Sequence, residues 1–385
     1  MPRRKEWIKG FALDDRDGDY LDQIESLRYV KGKVAVFPNH YWNDGVMHGL
    51  SLVTRGAVSP GILGKNLADG ILAVKLTLLR GQLPAVLHGI RTFIEASVPH
   101  GKNNVWKKIL KENEKDWSYL SFRYEHMLGK HPKLPILSGL AQLGTLDQGG
   151  YIDIREGSDG NLWLLVRAGS RDFGVATSEY FQKLAVKEMS NYFIELPDNS
   201  RLAFFPKASP LFEDYLLALS WCESFAQMNR RAILRQTVDA LMRYEKIPKF
   251  EVLWDTAFTT QHNYVAEEAG RWVSRVGACS LYPDQLAVLR GAVNRECYIV
   301  RGLNTSRSYN SFSFGAGRLF PDDFAPPMCE PPSVGDETPG VECESDPRLL
   351  RELPSYYKDV AKIYKSQEDL ADIQETLRPV VSVLS

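Results

Sequence analysis

At 385 residues, the chain is long enough for one large α/β domain or for two to three average ones. Its 44% hydrophobic and 25% charged residues are ordinary globular usage, and a formal net charge of -1 excludes a global field that would draw it to nucleic acid or acidic lipid. No apolar run reaches 18 residues, and no apolar stretch follows the Met-Pro-Arg-Arg-Lys-Glu start, which points to a cytoplasmic protein with no membrane partner.

In chain order, residues 33–38 predict a short buried strand. Residues 47–76 carry Gly49, Gly56, Gly61, Gly64 and Gly70, a spacing of compact turns. Helical periodicity covers 84–98, and 105–130 is charged and aromatic, predicting a surface helical insertion. Alternation in Tyr151-Ile152-Asp153-Ile154, a Gly157 to Asn161 turn and the apolar run from Leu162 to Val166 predict a hairpin over 150–168. A helix follows from about 177, and a long amphipathic one runs over about 213–244. The stretch 320–347 holds seven prolines and many acidic residues, predicting an exposed loop. Helices near 347–364 and 367–378 close the chain. Interleaved strands and helices without a βαβ rhythm predict an α+β protein: a single large mixed α/β domain over 1–385, with a central β-sheet core flanked by helices.

Chemistry-bearing residues are scattered. The five cysteines, Cys222, Cys279, Cys297, Cys329 and Cys343, form no CxxC pair. That argues for buried thiols in a reducing compartment. Cys297 lies in an apolar strand and reads as a buried filler rather than a nucleophile. The seven histidines show no HxH or HExxH spacing, so no local metal motif exists. His262, before a helix-like 264–268, is either a ligand or general base, or a helix-start residue bonded to backbone. Asp69, in a Gly-rich turn, either binds a hard cation or stabilises the turn. Arg171, in Gly169-Ser170-Arg171, either clamps a phosphate or satisfies carbonyls. Tyr356 and Tyr357 either stack a purine or belong to the core. The Ser-rich approach to Gly315-Ala316-Gly317 is a close-backbone loop suited to a phosphate or nucleoside, yet the residue before it, Phe314, has no reactive atom.

Together these segments resemble the RtcB family of RNA ligases, in colinear order over nearly the whole chain. Residues 56–71 resemble the family's "GAVVPAAVGVDIGCGM" and 142–146 its "QLGTL". Residues 167–171 resemble "HSGSR", 229–230 "NR", 262–263 "HN" and 275–278 "RKGA". Residues 313–318 resemble "SHGAGR" and 357–359 the C-terminal "YKD". The resemblance implies joining of an RNA 2′,3′-cyclic phosphate or 3′-phosphate end to a 5′-hydroxyl end, with GTP and manganese and a histidine–guanylate intermediate. Such chemistry uses a neutral imidazole as nucleophile and Asp, Cys and His as metal ligands.

Carried over position by position, the reactive residues of that family are replaced. The nucleophilic histidine falls on Phe314, the metal-binding aspartate on Asn66 and the cysteine on Asp69. The histidine of "GNHF" falls near Gly150 and that of "HSGSR" on Arg167; that of "HN" remains as His262. Two nucleotide-site serines fall on Ala292 and Cys297, and the penultimate lysine on Leu384. The resemblance leaves Asn263, Ser313, Gly315, Ala316, Gly317, Arg318 and Tyr357 as nucleotide- or phosphate-binding candidates, with Arg171 and Arg167 beside them, and Asp69 and His262 as metal candidates. Arg167 brings a fixed positive charge to a ligand position. The expectation is an RNA-ligase-like protein that is not guanylylated and keeps a groove for RNA ends or a protein partner. Two alternatives stand beside it. One is a divergent active ligase that rebuilds a metal site from His40, Asp44, His48, Asp69 and His262. The other is a regulatory subunit paired with an active paralogue.

Overall fold

The computed structural model describes residues 4–101, 105–106, 111–196, 199–320, 340–344 and 352–385. It is a mixed α+β protein built on two main sheets. The larger has seven strands in the order Leu286–Arg290, Cys297–Gly302, Ala371–Leu384, Tyr151–Glu156, Asn161–Ala168, Gly70–Leu79 and Val252–Gln261. Every neighbouring pair in it is antiparallel. Its two rim strands approach each other, where Val288 N donates to the Thr260 hydroxyl at 2.9 Å, so the sheet nearly closes on itself. The smaller sheet has five strands, in the order Lys5–Glu6, Ala35–Asn43, Val46–Thr54, Arg271–Val276 and Tyr264–Glu268.

The predicted hairpin forms as Tyr151–Glu156 and Asn161–Ala168, joined through Gly160 at φ +80°. The long amphipathic helix is Pro210–Arg243, capped by Ser209, whose hydroxyl accepts from Leu211 N. One of its faces buries Ile233, Leu234, Val238 and Leu241 against Leu72, Val74, Leu164 and Val166 of the seven-stranded sheet. Burying each such side chain contributes about 1.5–3 kcal/mol. The helix Lys111–Lys130 is less of a surface excursion than its charge suggests: Leu120, Tyr124 and Met127 are buried, and Trp221 of the long helix donates to the Leu120 carbonyl.

Four expectations are corrected. The helix placed from 177 begins at Arg171. Residues 264–268 are a strand, paired from Tyr264↔Arg275 to Glu268↔Arg271, because the partner Arg271–Val276 supplies the hydrogen bonds. Near 347–364, residues 347–351 lie outside the described residues, and the rest is a short 3-10 turn, Pro354–Tyr356, then a helix, Val360–Lys365. The helix expected at 367–378 is instead the first half of the strand Ala371–Leu384, whose first half pairs with Cys297–Gly302 and whose second half pairs with Tyr151–Glu156. Pro379 fits there because it sits at a register shift, where no ladder amide is required. Most of the proline-rich stretch lies outside the described residues, as does Cys329; within 340–344, Glu342 pairs with Val381. Among the described residues, no helix is long and apolar enough to cross a membrane.

Candidate functional site

Both sheets contribute to one cleft of about 1150 Å³. Its centre is set by strand register. Ile71 pairs with Arg167 and Gly70 with Gln261, so the residues at the ends of three adjacent strands converge. Asp69 accepts from Arg167 Nε at 3.0 Å and Nη2 at 2.8 Å, both on Oδ2. His262 Nε2 lies 3.2 Å from the same oxygen, and Gly70 N donates to Oδ1 at 2.7 Å. Phe314 stacks on His262, with ring centroids 3.8 Å apart and planes at 16°. The Arg167 guanidinium stands 5.5 Å from the Phe314 ring centre. His48, from the smaller sheet, sits 6.5 Å from His262 and stacks on Tyr41.

The electrostatics follow from burial. Burial alone would raise the Asp69 carboxyl, but the Arg167 guanidinium, followed by His262, outweighs it and holds Asp69 below the usual carboxylate range. Burial lowers His262 despite its bond to Asp69, so its imidazole is neutral and its Nε2–H donates. Burial, then His262 and Arg167, push His48 down to about 3. The Nδ1 atoms of His48 and His262 are both buried without a hydrogen-bond partner.

These residues do not fit a divalent metal. Each oxygen of the Asp69 carboxylate is already engaged, and a permanent cation occupies its open side. A divalent ion about 4 Å from that guanidinium would meet a repulsion of about 8 kcal/mol at an effective dielectric near 20. Among the described residues, no group of three or more His, Cys, Asp or Glu side chains is placed to hold a metal ion. The alternative site expected from His40 and Asp44 is not assembled: His40 bonds the Phe37 and Ala12 carbonyls, and Asp44 faces Lys65.

The Gly-Ala-Gly bend forms a second wall. Ala316 N donates to the Arg290 carbonyl, and Lys358 N to the Gly317 carbonyl. Gly315 and Gly317 have φ of +73° and +74°, and a Cβ on Gly317 would lie 2.2 Å from the Asn39 carbonyl oxygen. Gly317→Ala is therefore expected to cost roughly 2–4 kcal/mol, from left-handed strain plus a backbone clash. Gly10, with φ +86° and open space where a Cβ would stand, would cost only the strain on the same change. Denaturant midpoints of the two variants check this. Beyond the bend, Arg318 pairs with Glu352 at 2.7 Å, Tyr357 donates to the other Glu352 oxygen at 2.6 Å, and the Arg318 guanidinium lies 5.2 Å from the Tyr357 ring centre.

Deeper in the wall, Asp153 binds Arg155 and Arg290, each at 2.8 Å at the closest approach, and accepts from the Ser382 hydroxyl. Arg290 itself lines the cleft and rests 3.9 Å over the Tyr151 ring.

Of the residues singled out by sequence, Asp69, Arg167, Arg171, His262, Phe314, Gly315, Ala316, Gly317, Arg318 and Tyr357 line the cleft. Arg171 begins its helix at φ +53° and donates to the Leu146 carbonyl at 2.5 Å. Asn263 and Ser313 do not line it. Asn263 accepts from Gly277 N and donates to the Asn66 carbonyl, and the Ser313 hydroxyl faces Asn39 and Gln367. Cys297 is buried within its strand; Tyr356 packs with Leu353 and Phe320. Sequence reasoning missed Arg290 and Glu352. The signal for Arg290 was a charged residue closing the apolar run Leu286 to Leu289, just before Gly291.

The family model described as "tRNA-splicing ligase RtcB" matches residues 151–384. The "RNA-splicing ligase RtcB" of Escherichia coli (strain K12) is 31% identical over 397 residues, covering 98% of this chain and 96% of that protein. The "tRNA-splicing ligase RtcB" of Pyrobaculum aerophilum is 22% identical, covering 84% of this chain and 81% of that protein. The chain belongs to the RtcB family.

Proposed function

We propose that this chain binds RNA ends in its RtcB-type cleft and is not guanylylated. The reading is carried by one observation: the position that resembles the family nucleophile holds Phe314, a buried residue whose ring lies flat on His262. A hydrocarbon ring offers no lone pair to a phosphorus atom. The nucleotide end of the cleft supports the same reading, because Leu384, an apolar and almost fully buried residue, lines it where the resemblance implies a guanine-contacting lysine. The protein then acts by holding RNA ends, alone or beside an active paralogue.

The test is incubation of the pure protein with α-labelled GTP and manganese, followed by denaturing electrophoresis. No covalent label is expected on the wild type, and none on Phe314→His, since the metal donors remain absent. A band that survives denaturation in the wild type would overturn the reading in favour of a divergent, active ligase. End-joining of a 3′-phosphate RNA to a 5′-hydroxyl RNA, scored in parallel, is expected to give no product.

A further inference from the structure

We propose that Arg167 takes the place of a divalent cation in this cleft, so that a terminal RNA phosphate ester binds there without metal. The inference rests on the RNA-end reading above and deepens it. Arg167 spends Nε and Nη2 on Asp69. Its Nη1 has no hydrogen-bond partner among the described residues, and the side chain keeps 22% exposure, on the cleft it lines. A guanidinium clamped along one edge by a carboxylate is fixed in orientation, and its remaining edge is presented without further ordering cost.

Across the whole cleft the signs are mixed, with Asp44, Asp147, Asp172, Glu344 and Glu352 beside five arginines, and the charge that favours an anion is local to Arg167 and Arg290. Arg155 and Arg290 share a single carboxylate, Asp153, and all three side chains are at least 95% buried. That leaves one surplus positive charge under the cleft wall, which Arg290 carries to the surface of the cleft. Beside the guanidinium lies a hydrocarbon ring on a neutral imidazole, Phe314 on His262, so the local dielectric is lowered and a charged hydrogen bond is strengthened. Phosphate oxygens match a guanidinium edge in geometry as well as charge. Asp69, the carboxylate that would otherwise attract a metal, is consumed by the same arginine.

Fluorescence anisotropy with a short labelled oligoribonucleotide tests this, comparing a 3′-phosphate with a 3′-hydroxyl end, in EDTA and in manganese. In EDTA the phosphate form is expected to bind about 10-fold or more tightly than the hydroxyl form, the contribution of one charge-assisted contact, with no gain on adding manganese. Arg167→Gln is expected to bring the ratio close to one, and Arg167→Lys to keep part of it, with circular dichroism confirming that both are folded. A preference that appears only with manganese overturns the inference and leaves the RNA-end reading standing. No binding of either oligonucleotide, or equal binding of both in each buffer, overturns the inference and that reading together. Full discrimination in folded Arg167→Gln also overturns it. Should neither variant fold, the wild-type comparison of the two buffers still decides.

Discussion

Asp153→Ala is expected to be among the most damaging single substitutions in this chain, costing about 3–5 kcal/mol or more of folding stability. Asp153 is 1% exposed and is the carboxylate shared by Arg155 and Arg290. Alanine would leave two guanidinium groups buried in the seven-stranded sheet without a counter-charge. Neither can neutralise itself, because a guanidinium keeps its proton in any folded protein. Ser382→Ala, which removes only the hydroxyl bond to the same carboxylate, is expected to cost about 1.5–3 kcal/mol. Urea denaturation of both variants measures the contrast. The acid limb gives a second readout. Burial would raise the Asp153 carboxyl, but Arg290 and then Arg155 outweigh it and hold it at about 2. Its contribution is therefore complete above the unfolded value near 3.9 and is lost as pH falls toward 2. In Asp153→Ala that loss disappears from the pH profile.

Arg167→Ala is expected to be nearly as costly at neutral pH, about 3–5 kcal/mol, for the mirror-image reason: it removes the cation bonded to the buried Asp69 carboxylate, leaving the Gly70 and His262 N–H groups and the unbonded charge of Arg230. Its pH dependence differs in sign from that of the wild type. In the wild type, Asp69 is held low, so its contribution is constant from pH 7 down to about 4 and declines only below that. In the variant burial is opposed only by the groups that remain, His262 foremost, so the carboxyl rises and is expected to pass its unfolded value. Protonation then relieves the buried charge, so the variant regains stability as pH falls from 7 toward 4. Melting temperatures at pH 7 and pH 4.5 should show a gap that narrows on acidification. A constant gap would mean that Asp69 finds another cationic partner.

Local patterns made much of the fold legible. The 150–168 hairpin carries strict alternation and a glycine turn, and both survive in the structure because they are local properties. The strand Ala371–Leu384 was not legible in its first half. Asp372, Gln374 and Glu375 give that segment a polar, helix-like look, and its strand character comes from one partner distant in sequence, Cys297–Gly302. The same holds for 264–268, where Ala266, Glu267 and Glu268 are good helix formers overruled by pairing.

At the site, motif spacing marked Asp69, Arg167, His262 and Phe314 individually. Their assembly into an ion pair beneath a ring stack depends on the register of three strands, which no local pattern carries. The interior roles of Asn263 and Ser313 were hidden for the same reason: a polar residue beside a glycine bend reads alike whether it faces a ligand or holds the bend in shape. Asp153 was visible as a polar residue in an apolar alternation, but its two arginine partners lie 2 and 137 residues away.

The meeting of the rim strands at Thr260 and Val288 bears on how this protein behaves in a crowded solution. An open sheet of seven strands offers two flanks of unsatisfied amides, each a template on which a stranger's strand can add and fibrils can grow. Here one flank turns toward the other, and a single hydroxyl spans the seam. The curvature that brings the cleft residues together thereby also shields the flanks of this sheet from templated self-association.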